Sequence, residues 1–430
     1  MRVLLISANT ETISMPTLPL GLACLAAATQ KAGHEVALLN LMFEGDAMLG
    51  IRTAIEDFRT NVIGISVRNI DDQNMLQPQF LLAPVRDVIA TCRGLSNAPI
   101  ILGGAGYSIF PESALRYLGA DMGIQGEGEV IFPILVDRIG KGEQVWDLPG
   151  VHSARAVNVG AVAAATHAPL RYFEMRLDNL PLPEPSLWIP SGAINLWVPL
   201  QSRRGCPLDC TFRSTSAIEG RAMRTRSPTA VVKWLAKLRE TGCRNFNFVD
   251  NTFNLPPTYA KDLCRQIIEA KLDLHLWCLI YPKHIDRELV ELMRQAGCRQ
   301  ISFGFESGSD RMLRSLNKQF NSHEVSAAAE LFAEAEIKRM GFLLLGGPGE
   351  TKDSVEESLS LADSLNLEAL KITIGLRLYP QTPLARIALE EGVISADEDL
   401  LLPRFYLTPE LRDWLPERVA TYKSSRPWAN

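Results

Sequence analysis

No apolar run in this sequence is long enough to cross a bilayer; the most hydrophobic windows are short and broken by glycine, proline or charge. Nor is there an excess of positive charge. Lys and Arg number 44 against 49 Asp and Glu, a net charge of −5, so the basic footprint of a nucleic-acid binder is missing. Eight cysteines are too sparse in 430 residues for a disulfide framework. The expected setting is a reducing cytoplasm. The opening "MRVLLISANT" has no charged region, apolar core or cleavage site of a secretion signal and reads as a strand. What is present is 47% hydrophobic residues in a chain long enough for two or three domains.

Strand-like and helix-like segments alternate through residues 1–145. Apolar runs stand at 2–8, 35–41, 62–67, 99–104 and 122–126, with helical stretches such as Ala47–Phe58 and Ala83–Cys92 between them. Runs apolar throughout belong to a parallel sheet covered on both faces. Five such units predict a doubly wound, flavodoxin-like (Rossmann-type) α/β domain with its ligand at the carboxyl ends of the strands. Residues 146–195 break the pattern; "PLPEPSLWIPSG" is proline-rich and reads as a linker. A second series follows at 196–384, with strands at 194–200, 244–250, 274–280, 299–306, 340–347 and 370–380. Six units without a switch in direction predict a partial (β/α)6 TIM-type barrel, whose chemistry sits on the loops after the strands. Residues 385–430 read as a helical cap and tail.

The loop after the first barrel strand, "QSRRGCPLDCTFRSTS", sets Cys206 and Cys210 four apart, with Phe212 and then Arg213. Further motifs stand in order behind it: "FVDNTFN", "FGFESGSDRMLRSLNK", "GFLLLGGPGET" and "LYPQTPLARIALEEG". Ahead of it stand "LPLGLACLAAATQKAGHEV", "GGAGYSIFPE" and "GEGEV". Taken together these resemble the cobalamin-binding radical S-adenosylmethionine family over nearly the whole chain. The resemblance implies an enzyme, most simply a methyltransferase acting on a small molecule. Its cofactors would be cobalamin, S-adenosylmethionine and a 4Fe–4S cluster served by an electron donor. A cluster-free protein is the alternative, with polar methyl transfer or binding alone.

Two departures stand out. The family's loop is Cys-x3-Cys-x2-Cys, and the third position here is Arg213. A guanidinium stays protonated and has no lone pair for a metal, so Cys206 and Cys210 are left as metal ligands and Arg213 is no substitute. Of the other cysteines, Cys243 and Cys298 precede strands, Cys264 lies in a helix, and Cys278 is most simply a packing thiol. On the corrinoid side, the Asp-x-His-x-x-Gly pattern is replaced by Asn40, Met42 and Gly45, with no histidine. Cobalamin would then be held without a His ligand by the "GGAGY" turn (Gly103, Gly104), the "GEGE" turn (Gly126, Glu127, Gly128) and the long loop 11–19.

For S-adenosylmethionine the resemblance points to Phe212, to Asp250 and Asn251 ending the second strand, to Glu306 and Ser307 ending the fourth, and to the backbone of Gly346, Gly347 and Pro348. Strand-end capping is the alternative reading of Asp250 and Glu306. "GGPGET" lacks the lysine of a phosphate loop, and "GGAGY" is not a full dinucleotide fingerprint. Arg203, Arg204, Arg221, Arg224 and Arg226 crowd the cysteine loop; such a run is ordinarily a solvated face. Arg213 in the vacated ligand position has the geometry to take a carboxylate.

Overall fold

A computed structural model describes residues 1–12, 16–154, 170–192 and 195–429. The chain divides into two units, each with its own sheet. Residues 1–72, 79–193 and 215–220 make the first; 73–78, 194–214 and 221–430 make the second.

In the first unit β1 (Arg2–Ser7), β2 (Glu35–Asn40), β3 (Val62–Ser66), β4 (Ile100–Gly103), β5 (Met122–Ile124) and β6 (Val151–Ser153) lie in the order β2-β1-β3-β4-β5-β6. The first five run parallel, and β6 closes the edge antiparallel to β5. The order reverses direction at β1, which pairs with β2 on one side and β3 on the other. This is the doubly wound topology, and the switch point lies between β1 and β3. Val3, Leu5, Val62, Ile101 and Phe132 share one core cluster. Asp46 caps the helix Ala47–Phe58 through Met48 and Leu49 N–H, which fixes its start at the expected residue.

The second sheet runs β14-β13-β12-β11-β10-β7, parallel and in sequence order. Its strands are β7 (Val198–Leu200), β10 (Asn245–Phe248), β11 (His275–Ile280), β12 (Cys298–Glu306), β13 (Lys338–Leu345) and β14 (Ala369–Ile374). Sequential parallel order without reversal is that of an open (β/α) barrel. Four of these strands, β10, β11, β13 and β14, alternate buried residues with more exposed ones, unlike β1 and β3, where all but one residue is buried. One face packs under helices and the other stays partly open. Two short ribbons complete the unit: β8 (Arg203–Arg204) with β9 (Arg224–Thr225), and β15 (Leu376–Arg377) with β16 (Phe405–Tyr406).

Two boundaries differ from the sequence reading. The expected linker supplies β6 and the segment 170–192 to the first unit. Three residues of β6 with a histidine between Val and Ser carry too little periodicity to announce a strand. The expected tail is part of the second unit: β16 pairs with β15, and Leu370 bridges to Ala429.

Candidate functional site

At the switch point of the first sheet, Ala8, Asn9, Thr10 and Glu11 after β1 and Ser66, Val67, Arg68 and Asn69 after β3 line an open recess of about 330 Å³ of empty space. Leu81, Pro84 and Val85 close its side. Asn9 Nδ2 is buried there without a hydrogen-bond partner. A buried donor lacking an acceptor is unfavourable unless a ligand supplies one. The amide-rich periphery of cobalamin carries such acceptors, so the edge of that cofactor suits the unpartnered donor of Asn9. Asn9 and Arg68 were not singled out in the sequence, although both follow the strands where a switch point must lie.

The expected corrinoid residues do not line this recess. Met42 sits in a 3-10 turn with its N–H on Asn40 Oδ1 at 3.3 Å, and Gly45 is exposed. Gly104 takes a left-handed φ of +99°, and a Cβ there would stand 2.6 Å from Val67 O, so only glycine lets this turn pack on the end of β3. Gly103, beside it, faces open space. Gly126 donates to Ser108 Oγ at 2.9 Å, Glu127 is buried and accepts from Glu174 N–H at 3.0 Å, and Gly128 follows. These turns stand at the ends of β4 and β5 and do not line the recess. The loop 11–19 lies partly outside the described residues.

At the barrel end of the second unit the cysteine loop is tethered at three points. Thr211 N–H donates to Leu316 O (3.3 Å), Thr211 O accepts from Leu384 N–H (3.0 Å), and Asn317 Nδ2 donates to Asp209 O (2.6 Å). Cys206 and Cys210 are both buried, and no disulfide joins the described cysteines. Arg213 Nη2 lies 3.8 Å from Glu306 Oε1, and the same oxygen accepts from Lys318 Nζ at 3.0 Å. Lys318 is almost wholly enclosed, its ammonium 5.2 Å over the Phe212 ring, a favourable cation–π position. Tyr281 completes the wall; burial pushes its hydroxyl up to about 12, and the two thiols and Arg213 are among the groups it feels. Glu306 itself has a φ of +63° at a register shift between β12 and β13. A non-glycine residue held there is strained, a feature that clusters at functional sites. Lys318 and Tyr281 are additions to the sequence-based set. The lysine was visible at the end of "FGFESGSDRMLRSLNK", but nothing in spacing says that it turns back onto Glu306.

Several expected ligand groups are engaged within the protein instead. Asp250 is fully buried; its carboxylate accepts from Ser202 N–H (2.7 Å), Ser202 Oγ (2.5 Å) and Arg203 N–H (3.1 Å), with Arg203 Nε at 3.4 Å. It locks the base of the cysteine loop and offers no oxygen to a ligand, while Asn251 is half-buried beside it. Ser307 Oγ bonds Ser358 Oγ (3.0 Å) and accepts from Ser309 N–H (3.1 Å). The N–H groups of Gly346 and Gly347 both donate to Glu350, Thr408 binds both their carbonyls, and Pro348 O accepts from Ser315. This turn is therefore closed by its own side chains. The arginine run is not a solvated face either: Arg203, Arg204, Arg224 and Arg226 are buried, and exposed Arg221 pairs with Asp209. Cys264, Cys278 and Cys298 are buried together, and burial pushes the first two thiols up.

The family's iron–sulfur cluster is tested by this donor set. Among the described residues no group of three or more His, Cys, Asp or Glu side chains is placed to hold a metal. The loop supplies two thiols, the third position is a cation, and the nearby carboxylate is already shared by two cations. A three-thiolate site does not fit these residues.

A doubly wound domain with a ligand recess at its switch point and a parallel barrel with a thiol loop over its strand ends define a two-part cofactor enzyme. Residues 6–136 match the B12 binding domain and residues 200–362 the Radical SAM superfamily. The chain belongs to the cobalamin-binding branch of the radical S-adenosylmethionine superfamily. It is 24% identical to the tryptophan 2-C-methyltransferase of Streptomyces laurentii, over 89% of this chain and 74% of that one. With the cytidylyl-2-hydroxyethylphosphonate methyltransferase of Streptomyces wedmorensis it shares 25%, over 89% and 80%. Its fold is that of the radical S-adenosylmethionine methyltransferase TsrM of Kitasatospora setae, solved with cobalamin and a [4Fe-4S] cluster, at 22% identity, TM-score 0.83, and coverage of 95% and 84%. The cobalamin-dependent radical enzyme OxsB, solved with aqua-cobalamin and S-adenosylmethionine, superposes with a TM-score of 0.76 at 17% identity, covering 99% of this chain and 66% of that one. The cofactor set of the branch is cobalamin and S-adenosylmethionine, with the cluster one thiolate short at Arg213. No described helix is long and apolar enough to cross a membrane.

Proposed function

We propose that this protein transfers a methyl group from S-adenosylmethionine to a small-molecule acceptor with the help of cobalamin. The observation carrying this reading is the pairing in one chain of a B12-type sheet, with an unpartnered donor at its switch point, and an S-adenosylmethionine-type barrel. Bound cobalamin supplies a centre able to take a methyl group from a sulfonium and give it to a nucleophile. Asn9 would donate to the cofactor's periphery from the β1 end, and Glu11 and Arg68 would border it. In the barrel, Glu306, Lys318 and Arg213 present fixed charge to the zwitterionic end of S-adenosylmethionine. Phe212, Phe320 and Tyr281 keep water from the enclosed ammonium of Lys318. The relatives named for tryptophan and for a phosphonate make amino acids and small anions the first acceptors to try.

Arg213 favours polar transfer over radical chemistry. In polar transfer the sulfur keeps the bonding pair, so each methyl moved leaves one S-adenosylhomocysteine and the acceptor sheds a proton. The test is anaerobic incubation of the full chain with hydroxocobalamin, a chemical reductant and methyl-labelled S-adenosylmethionine against an acceptor panel. Label in an acceptor with matching S-adenosylhomocysteine and no 5′-deoxyadenosine is the expected result. Accumulating 5′-deoxyadenosine would restore the radical route, and no label in any acceptor with neither product formed would leave a binding protein.

A further inference from the structure

The position that should hold a third thiolate has become, we infer, a recognition point for the carboxylate of an amino-acid-type ligand, with Arg213 as its anchor. Charge is the first ground. Arg213 and Lys318 both face Glu306, two cations to one carboxylate in a largely enclosed place, and the neighbouring Asp209 is neutralised by Arg221. An enclosed surplus cation is unfavourable without a counter-ion. The second ground is division of labour. Lys318 holds Glu306 at 3.0 Å, whereas Arg213 stands off at 3.8 Å with 28% of its side chain exposed. That distance is an ion pair without a hydrogen bond, so the planar fork of Arg213 keeps donors for a second, bidentate carboxylate. The third is placement. Thr211, two residues before Arg213, is pinned on both its N–H and its carbonyl, so the backbone that carries the guanidinium is fixed beside the two thiols. A ligand of this kind arrives either as S-adenosylmethionine, through its methionyl end, or as an amino-acid acceptor.

This inference rests on the barrel binding S-adenosylmethionine or an amino acid, and its test needs neither turnover nor cobalamin. Chelator-treated full-length protein is titrated by calorimetry with S-adenosylmethionine, with 5′-methylthioadenosine (which lacks the carboxylate), and with L-tryptophan against tryptamine. Arg213→Ala is expected to weaken a carboxylate-bearing ligand roughly 10- to 100-fold, the range of a charge-assisted hydrogen-bonded contact. The ligand without a carboxylate should bind both proteins alike. Loss confined to S-adenosylmethionine assigns the site to the cofactor, and loss confined to tryptophan assigns it to the acceptor. Arg213→Lys keeps the charge but not the fork and should recover only part of the affinity. Unchanged melting temperatures show that Arg213→Ala folds. Iron analysis supplies the opposing arm: after anaerobic reconstitution the natural chain should take up little iron, and Arg213→Cys substantially more. Equal binding of every ligand by Arg213→Ala, or a full cubane complement in the natural chain, overturns the inference. Methyl transfer could fail in the earlier assay while this carboxylate dependence stands, so the two outcomes separate.

Discussion

Glu350 offers a perturbation whose size follows from its surroundings. Its Oε2 accepts from Gly346 and Gly347 N–H, while Oε1 is buried without a partner. Burial raises its carboxyl from 4.5 to about 7, against the pull of the two N–H groups and of Arg311. A folded-state value above the unfolded one means that stability is fully present below pH 4.5 and is lost as pH rises through 7. A rise of this size corresponds to about 3 kcal/mol once both states are ionised. Glu350→Gln keeps an acceptor for the two N–H groups and removes the titration, at the cost of a buried, unpartnered NH2 worth roughly 1–2 kcal/mol at every pH. Urea unfolding at pH 5, 6, 7 and 8, followed on the transition of the second unit, measures both proteins. The variant should start below the natural protein at pH 5 and gain about 2.5 kcal/mol on it by pH 8, ending at or above it. A gap that stays constant within roughly 0.5 kcal/mol across the series would refute the reasoning, because then the two backbone N–H groups keep Glu350 ionised throughout.

Asp250→Asn should destabilise the second unit by about 3–5 kcal/mol, since it strands Arg203, only 1% exposed, without its counter-ion; denaturant unfolding reads this, and a loss under 1 kcal/mol contradicts it. Gly346→Ala forces a φ of +99° on a residue with a Cβ 2.3 Å from Leu407, so a loss of about 2 kcal/mol or more is expected in the same assay. Asn9→Ala removes an unpartnered buried donor. It should leave thermal stability unchanged or higher while weakening hydroxocobalamin binding about tenfold in an absorbance titration. Unchanged binding would move the cofactor away from that recess.

The strand ladder was readable because its signal is long-range and repetitive: runs of Val, Ile and Leu at regular intervals leave few alternatives to parallel sheets. Most strands emerged close to the expected bounds, although β7 starts later and β14 ends earlier than expected and β6 was not foreseen; the helix Ala47–Phe58 has the expected ones. What sequence did not carry was the pairing of side chains at strand ends. Asp250 and Ser307 are polar residues where a barrel keeps its chemistry, and sequence cannot say that each finds its partner far along the chain, in Ser202 or Ser358. The Gly346–Pro348 turn looked open to a ligand for the same reason, until Glu350 and Thr408 were seen to close it. Asn9 was overlooked because a lone asparagine after a strand has no periodicity; only the unsatisfied amide marks it. The substitution at Arg213 needed no structure to notice, but its pairing with Glu306 did.

The two units exchange short pieces of chain. Residues 73–78 leave the first sheet's run to join the barrel unit, and 215–220 leave the barrel's run to join the first. The returning piece is anchored there: Arg171 donates to the carbonyls of Ser216 and Ala217, and the Phe173 ring lies against Gly220. No single cut therefore yields either half intact, and a protein severed near residue 193 would leave each fragment missing a segment held by the other. The anchored piece begins two residues beyond Arg213, so dissection by truncation would disturb the very turn under study, and point substitution in the uncut chain is the sound route.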